Sequence, residues 1–285
     1  MNATAVPAVA PTARRRPGTA TVLRWEVAKV AAQARSRALL AGAIVVPIAV
    51  VLIFNTQLPP KDTIYGRHIH TSGYAVPLFV LAFAHQWVLP LLAALVAGDI
   101  FANEDQHGTW KTILTRSVSR TQVFWAKTLT AVGFNLLVLV LLAASTITTS
   151  LLVVGPQPLP GLSGQLIAPG HALPVVIASW ATAAAPVLGF TALAILLSVT
   201  TRNPTIGVAA PVVLGMIMQL LSSLGGLNQG RRLLLTTPFE AWHGLLTAQP
   251  FHAPIVTGAI VSAGWLVSCL ALAYLYLRRR DITGG

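Results

Sequence analysis

Six uncharged, mostly apolar runs dominate the chain, at 38–54, 74–97, 128–154, 173–201, 203–230 and 253–277. A helix needs about 20 predominantly apolar residues to cross the hydrocarbon core, with roughly 17 as the short limit. Each run therefore predicts one membrane span, six in all. Ahead of the first run the pattern changes. Between Thr21 and Arg37, the residues Leu23, Val27, Val30, Ala31 and Ala34 share one helical face, while Glu26, Lys29, Gln33 and Arg37 recur at spacings of three and four on another. With Trp25 at its edge, this predicts an amphipathic elbow helix over 21–37 lying in the membrane interface. The competing reading makes it the polar lead-in of the first span. Residues 1–20, with Pro7, Pro11, Pro17 and the Arg14-Arg15-Arg16 cluster, predict a disordered basic arm. The rest, 21–285, reads as a single all-α, six-span unit.

Composition supports the bilayer. Hydrophobic residues make up 55% of the chain and charged residues 9%, with a mean hydropathy of +0.73. A soluble domain carries about 25% charged residues, so this chain cannot cover a surface in water. A net charge of +12 would suit a nucleic-acid binder, but the bases sit in short clusters beside the apolar runs, as topology charges do. Of the 19 Lys and Arg residues, only Lys61, Arg67, Arg231 and Arg232 fall on the side opposite the N-terminus. The positive-inside rule then predicts a multi-pass protein of the cell membrane with both termini cytoplasmic. The first run is too long and too late for a cleaved signal peptide, and no small-x-small site follows it. The single cysteine, Cys269, lies in the last run and excludes a disulfide framework or a cysteine metal site.

This topology makes the link between spans two and three, about 99–121, the largest cytoplasmic one; spans four and five meet in a bare turn at Arg202-Asn203-Pro204. Three loops face outward, near 55–73, 155–172 and 231–252. Thr237-Pro-Phe-Glu-Ala-Trp-His-Gly-Leu-Leu246 in the last predicts either short amphipathic helices dipping into the outer leaflet or a plain folded loop.

The cytoplasmic link holds acids and bases in an ordered pattern. Glu104 precedes Gly108-Thr109 by four residues. Gly108 suits a positive φ that ends one helix, and Thr109 can cap the next. A short helix near 109–117 is expected, held at the membrane surface by Trp110, Ile113 and Leu114, with its exposed side pressing into a groove on a soluble protein and Glu104 as a charge at the docking surface. Alternatively, the segment is a solvated loop whose charges only set topology.

Glu104-x-x-x-Gly108-Thr109, then Leu114, Val118-Ser119-Arg120 and Ala126-Lys127, resembles the permease subunits of type-2 ABC exporters. Those carry a Glu, a Gly-Thr pair, a Leu, a Pro-x-Ser-Arg and a Gly- or Ala-Lys here. The elbow, the six spans and the outer helices between spans five and six match the same layout. Ser117 departs from the pattern, standing where the family commonly has Pro. The resemblance implies that Glu104, Gly108, Thr109, Leu114 and Arg120 transmit motion from a separate nucleotide-binding subunit, which would carry the ATP and Mg²⁺. It also implies a second permease subunit, identical or related. No G-x-x-x-x-G-K-[ST] occurs, so the chain is expected to hold no nucleotide or other cofactor itself.

Metal and catalytic motifs are weak: His68 and His70 are two ligands without a third. Polar residues inside the spans are the other candidates, namely His85, Gln86, Asn135 and Gln219. They either bond between helices or face a substrate path. In the related permeases spans two and five line the dimer interface, which implies a central position for His85, Gln86 and Gln219. The cluster Ser145 to Ser150 is expected to bond its own backbone, and Pro186 to kink span four. The reading that follows is an exporter permease for a hydrophobic or amphipathic substrate. A polytopic membrane enzyme and an ion-coupled secondary transporter remain as alternatives.

Overall fold

The computed structural model describes residues 18–57, 62–110, 118–223 and 230–280. The N-terminal arm up to residue 17 and the expected helix over 111–117, with Leu114, lie outside the described residues. In chain order, α1 (Thr19–Ala32) leads into α2 (Ala34–Thr56), α3 (Ala75–Ala84), α4 (Val88–Ala97) and the short α5 (Ala102–Gln106). Then come α6 (Arg120–Val153), α7 (Pro169–Thr182), α8 (Ala184–Thr201), α9 (Pro204–Ser223) and α10 (Ala253–Arg279). Five stretches are long and apolar enough to cross a membrane, and α3 with α4 makes a sixth as one bent span. The fold is that of an all-α, multi-pass membrane protein.

The spans run alternately between two ends. The basal end gathers α1, α5 and the described C-terminus; the distal end gathers the three longer loops. Span four (α7 and α8) is the centre, 67% buried over its most apolar window against 17–28% for the other unbroken spans. α8 packs against α4, α6, α9 and α10. Close approach at one crossing requires glycine: a Cβ on Gly98 or on Gly207 would run into the backbone of the other.

Three expectations need correction. The elbow helix is shorter than 21–37. It ends at Ala32, where Gln33 is extended (ψ 130°), so Arg35 and Arg37 already belong to span one. The Arg37 guanidinium turns back to the Ala32 carbonyl at 2.7 Å, covering one of the acceptors left at the helix end. Nor is span two one straight helix. It breaks at His85-Gln86-Trp87 and bends by 59°. Pro90 explains the place: it lacks the N–H that would bond to the Gln86 carbonyl, and its ring crowds that carbonyl. Span four is interrupted in the same way, at Ala183, where Pro186 cannot donate to Thr182.

The third correction concerns the loop 231–252. It is helical as one of its two readings had it, with 3₁₀ turns at Gly230–Leu233 and Thr237–Leu246, but it faces protein. Leu235, Phe239, Trp242 and Leu246 are fully buried. Phe239 stacks between His85 and Phe190, with ring centroids at 6.1 and 6.0 Å, and Trp242 lies 6.1 Å from Tyr65 of the first distal loop. Room for Leu235 comes from Gly189 of α8, whose missing Cβ would overlap the leucine. Backbone bonds from Gly73 to Gly155 (2.9 Å) and from Leu162 to Leu246 (2.7 Å) join all three loops into one cap. A two-residue hairpin, Leu159–Pro160 against Leu166–Ile167, is the strand structure among the described residues.

Candidate functional site

The basal end is where the chain spends its few acids. Glu26 projects from α1 at 8% exposure, on the same buried stripe as Val22 and Val30. Trp25 and Val27 point outward instead, 50% and 48% exposed. The elbow helix thus turns one acid inward between two valines and leaves Trp25 and Val27 outward, an arrangement that suits an interfacial helix.

Glu26 meets Lys127, which rises from the first turns of α6. The Lys127 side chain is 1% exposed, and its Nζ donates to Glu26 Oε2 at 2.9 Å and to Glu104 Oε1 at 2.8 Å. It also stands 6.0 Å over the Phe101 ring, a cation–π distance. Glu104, from α5, is 2% exposed at its side chain. Lys29 of α1 donates to the same Oε1, while the Thr109 hydroxyl donates to Oε2. Two carboxylates and two ammonium groups therefore form one neutral cluster joining α1, α5 and α6. Burial alone would raise the Glu104 pKa. The Lys127 charge, with the bonds from Lys127, Lys29 and Thr109, overcomes that and holds it at about 2.

The Glu-x-x-x-Gly-Thr spacing has a local cause. Gly108 adopts a positive φ of 62° with open space around it. That turn brings the Thr109 N–H back to the Glu104 carbonyl at 3.0 Å, and the hydroxyl to its carboxylate. Thr109 thus closes on Glu104. Glu104 itself is not a surface charge for docking, as expected from sequence; it is an internal anchor, because three donors converge on it. Among the described residues of the segment, Gln106-His107-Gly108 form an exposed apex. Trp110 is buried at 3% exposure and stacks on Phe101 at 6.4 Å.

Two further pairs flank the cluster. Asp99 meets Arg35 of span one at 2.5 Å and accepts from Asn103 Nδ2 at 2.6 Å. Desolvation nonetheless raises the Asp99 pKa, against the pull of Arg35, Asn103 and Lys127. Asp105 is gripped at both oxygens by Arg280, just past α10. The segment's N-terminal side is fixed from α8: Ser198 Oγ accepts the N–H groups of Phe101 and Ala102, at 3.2 and 3.0 Å. Ser119 starts α6 with a capping box, bonding reciprocally with Gln122.

Arg120 faces none of these acids. Its Nη1 donates to the carbonyls of Leu277, Arg278 and Arg280 at 3.5, 3.1 and 2.6 Å, capping the negative end of α10. Within the spans, Asn135 is 3% exposed and its Nδ2 donates to Ala93 O at 2.9 Å and Thr191 Oγ1 at 2.8 Å. It ties spans two, three and four. His85 bonds to Leu81 O at 3.2 Å and lies against Phe239. Gln86 and Gln219 are half-buried, on the break of span two and on α9. Ser145 donates to Ile44 O across to span one, whereas Thr146 and Ser150 bond within their own helix. His70 Nε2 meets Phe54 O at 2.8 Å.

Sequence reasoning overlooked Glu26, Lys29, Lys127, Asp105 and Arg280 as partners, counting the bases only as topology charges. One signal was available: a lysine at the mouth of an apolar run, in a chain with seven acids in all, needs a counter-charge.

Among curated proteins none matches this chain. Residues 22–222, well over half of it, match the model of the family described as ABC-2 family transporter protein. The matched region takes in α1, the basal cluster except Arg280, and spans one to five.

Proposed function

The chain belongs to the ABC-2 transporter family, and from that premise, a multi-pass permease working with an ABC ATPase subunit, we propose that it is the membrane subunit of an ATP-driven exporter. The observation that carries this is the basal segment. Its exposed apex, Gln106 to Gly108, stands on an ion-pair cluster that grips α1, α5 and α6 together. A push at that apex moves a connected block, because a mutually neutralised cluster whose Glu26, Glu104 and Lys127 are buried resists being pulled apart. In this reading a nucleotide-binding subunit holding ATP and Mg²⁺ docks on the segment 99–121, with Glu104, Gly108, Thr109, Leu114 and Arg120 as the coupling residues. Its closure tilts the spans in alternating access. Both termini are cytoplasmic, and two permease subunits, identical or related, face each other in the cell membrane.

The substrate in this reading is hydrophobic or amphipathic. Supporting it is a crevice of about 270 Å³ between spans one and two, lined by Phe54, Phe79, Phe83 and other apolar side chains. That is narrower than the roughly 300–1,000 Å³ of a drug-sized site.

Purification of the chain with its ATPase subunit tests the proposal. Vanadate-sensitive ATP hydrolysis by the assembled complex is expected, and Gly108→Val should lower it while membrane insertion is unchanged. The β-branched side chain strains a φ of 62° by about 1–3 kcal/mol. Unaltered hydrolysis in that variant reduces the segment to a topology loop.

A further inference from the structure

The ion pair between Asp105 and Arg280 has a different character from the rest of the basal network. Both side chains are 8% exposed, and the guanidinium meets the carboxylate with two nitrogens on two oxygens. Such a fork fixes direction as well as distance. Its neighbours Arg278 and Arg279 are exposed, so of three consecutive arginines only the last turns in. The turn has a backbone cause: Arg280 leaves the helix with φ −70° and ψ 133° while its N–H still bonds to Tyr276 O. Arg120 then covers the carbonyls of Leu277, Arg278 and Arg280. The basal end of α10 is thereby fastened twice, to α5 through Asp105 and to the start of α6 through Arg120.

Helix α10 is built as a rod. Its 27 residues span about 40 Å at 1.5 Å per residue, with no proline beyond Pro254 in the first turn. At the other end it is fastened again. Gly258, in the second turn, lies so close to Pro238 that a Cβ would stand 3.0 Å from the proline ring, and from mid-helix Trp265 Nε1 donates to Leu233 O at 3.0 Å. Pro238 is next to Phe239, the ring held between His85 of the broken span two and Phe190 of α8. The same rod thus touches the acid beside the exposed apex at one end and the distal closure at the other.

We propose that Arg280 is the positioning residue through which the basal segment drives span six, so that movement of α5 is carried along α10 to the distal cap and the Phe239 plug. This deepens the exporter reading above and rests on it. The charge cluster around Lys127 holds the elbow helix to α5; the Asp105–Arg280 fork is a separate output, made by a different acid on a different turn.

The test uses the complex with its ATPase subunit, in a Cys269→Ser background, with spin labels at Thr71→Cys and Gln249→Cys. Both positions are exposed and lie on different distal loops. The parent complex should show a change in label distance between the nucleotide-free and vanadate-trapped states. Arg280→Ala should abolish that change while ATP hydrolysis stays within about twofold. The charge swap Asp105→Arg with Arg280→Asp should restore it. A purely structural role would lower yield without separating the two readouts. A distance change of parental size in Arg280→Ala overturns the proposal. Should that variant fail to assemble, Arg280→Lys decides, since it keeps the charge and loses the fork: less than half the parental change supports the proposal, and half or more overturns it. If the parent complex hydrolyses no ATP, the exporter reading falls and the drive through Arg280 falls with it.

Discussion

The two ends of the bundle are held together by different physics. At the basal end Glu26, Asp99, Glu104 and Asp105 each meet a base. These contacts are directional, join residues far apart in sequence, and fail abruptly when one partner is lost. At the distal end the loops are joined by ring contacts (Tyr65 tilted against Trp242, Phe239 stacked on His85 and Phe190) and by backbone bonds across turns, and the ion pair there, Arg231 with Glu240 at 3.7 Å, is exposed. Ring contacts are worth roughly 0.5–1.5 kcal/mol beyond their buried area and tolerate sliding. The proposed exporter, pushed at one end and opening at the other, would use this division: a block that does not shear where it is pushed, and a cap that separates in small steps.

The contrast breaks most severely at Lys127. Lys127→Met leaves two buried carboxylates short of a counter-charge, and removing one partner of a buried pair costs about 3–5 kcal/mol. Loss of a monodisperse, detergent-stable protein in size-exclusion chromatography is expected. Survival of the variant at parental melting temperature would mean that the cluster contributes little.

Next is pH. The Glu104 carboxyl is held at about 2, below its ordinary 4.5, so its contribution to stability is complete above about pH 4.5 and is lost as pH falls toward 2. Thermal melting of the parent protein should fall more steeply between pH 5 and pH 3 than that of Glu104→Gln, which has no such proton to take up. Equal slopes would remove Glu104 from the acid response.

The distal end should be more forgiving. Phe239→Leu keeps an apolar group between His85 and Phe190 and loses only the stacking, so a cost of about 1 kcal/mol is expected, read as a shift of a few degrees in melting. Asn135→Leu is expected to cost least, about 0.6 kcal/mol, the average for an interhelical hydrogen bond in a membrane. Leaving the Ala93 carbonyl and Thr191 hydroxyl without the amide should loosen spans two, three and four against each other. Faster hydrogen exchange in α4 than in α10 would register it.

The same contrast explains what was legible in the chain. Hydropathy placed the spans because length and apolarity set them directly. Gly108 was legible because a positive φ has few occupants. The break in span two sits four residues before Pro90, a signal present within the run but hidden by its even apolarity. Burial of the distal turn was out of reach: Phe239 and Trp242 look the same in sequence whether they enter lipid or protein, and only the distant partners His85, Phe190 and Tyr65 decide. The basal pairs were hidden for another reason. Lys127 lies 23 residues from Glu104 and 101 from Glu26, and no local pattern joins them.

The central claim, that the apex at Gln106 to Gly108 is where an ATPase subunit presses, is tested most directly by cross-linking. His107→Cys in the Cys269→Ser background places a single reactive thiol on that apex, with Ser163→Cys on the distal hairpin as the control; both residues are exposed. With a short lysine- and thiol-reactive linker, His107→Cys should capture the co-purifying ATPase subunit and Ser163→Cys should not. Capture from Ser163→Cys, or none from His107→Cys in a complex that still hydrolyses ATP, would contradict the account.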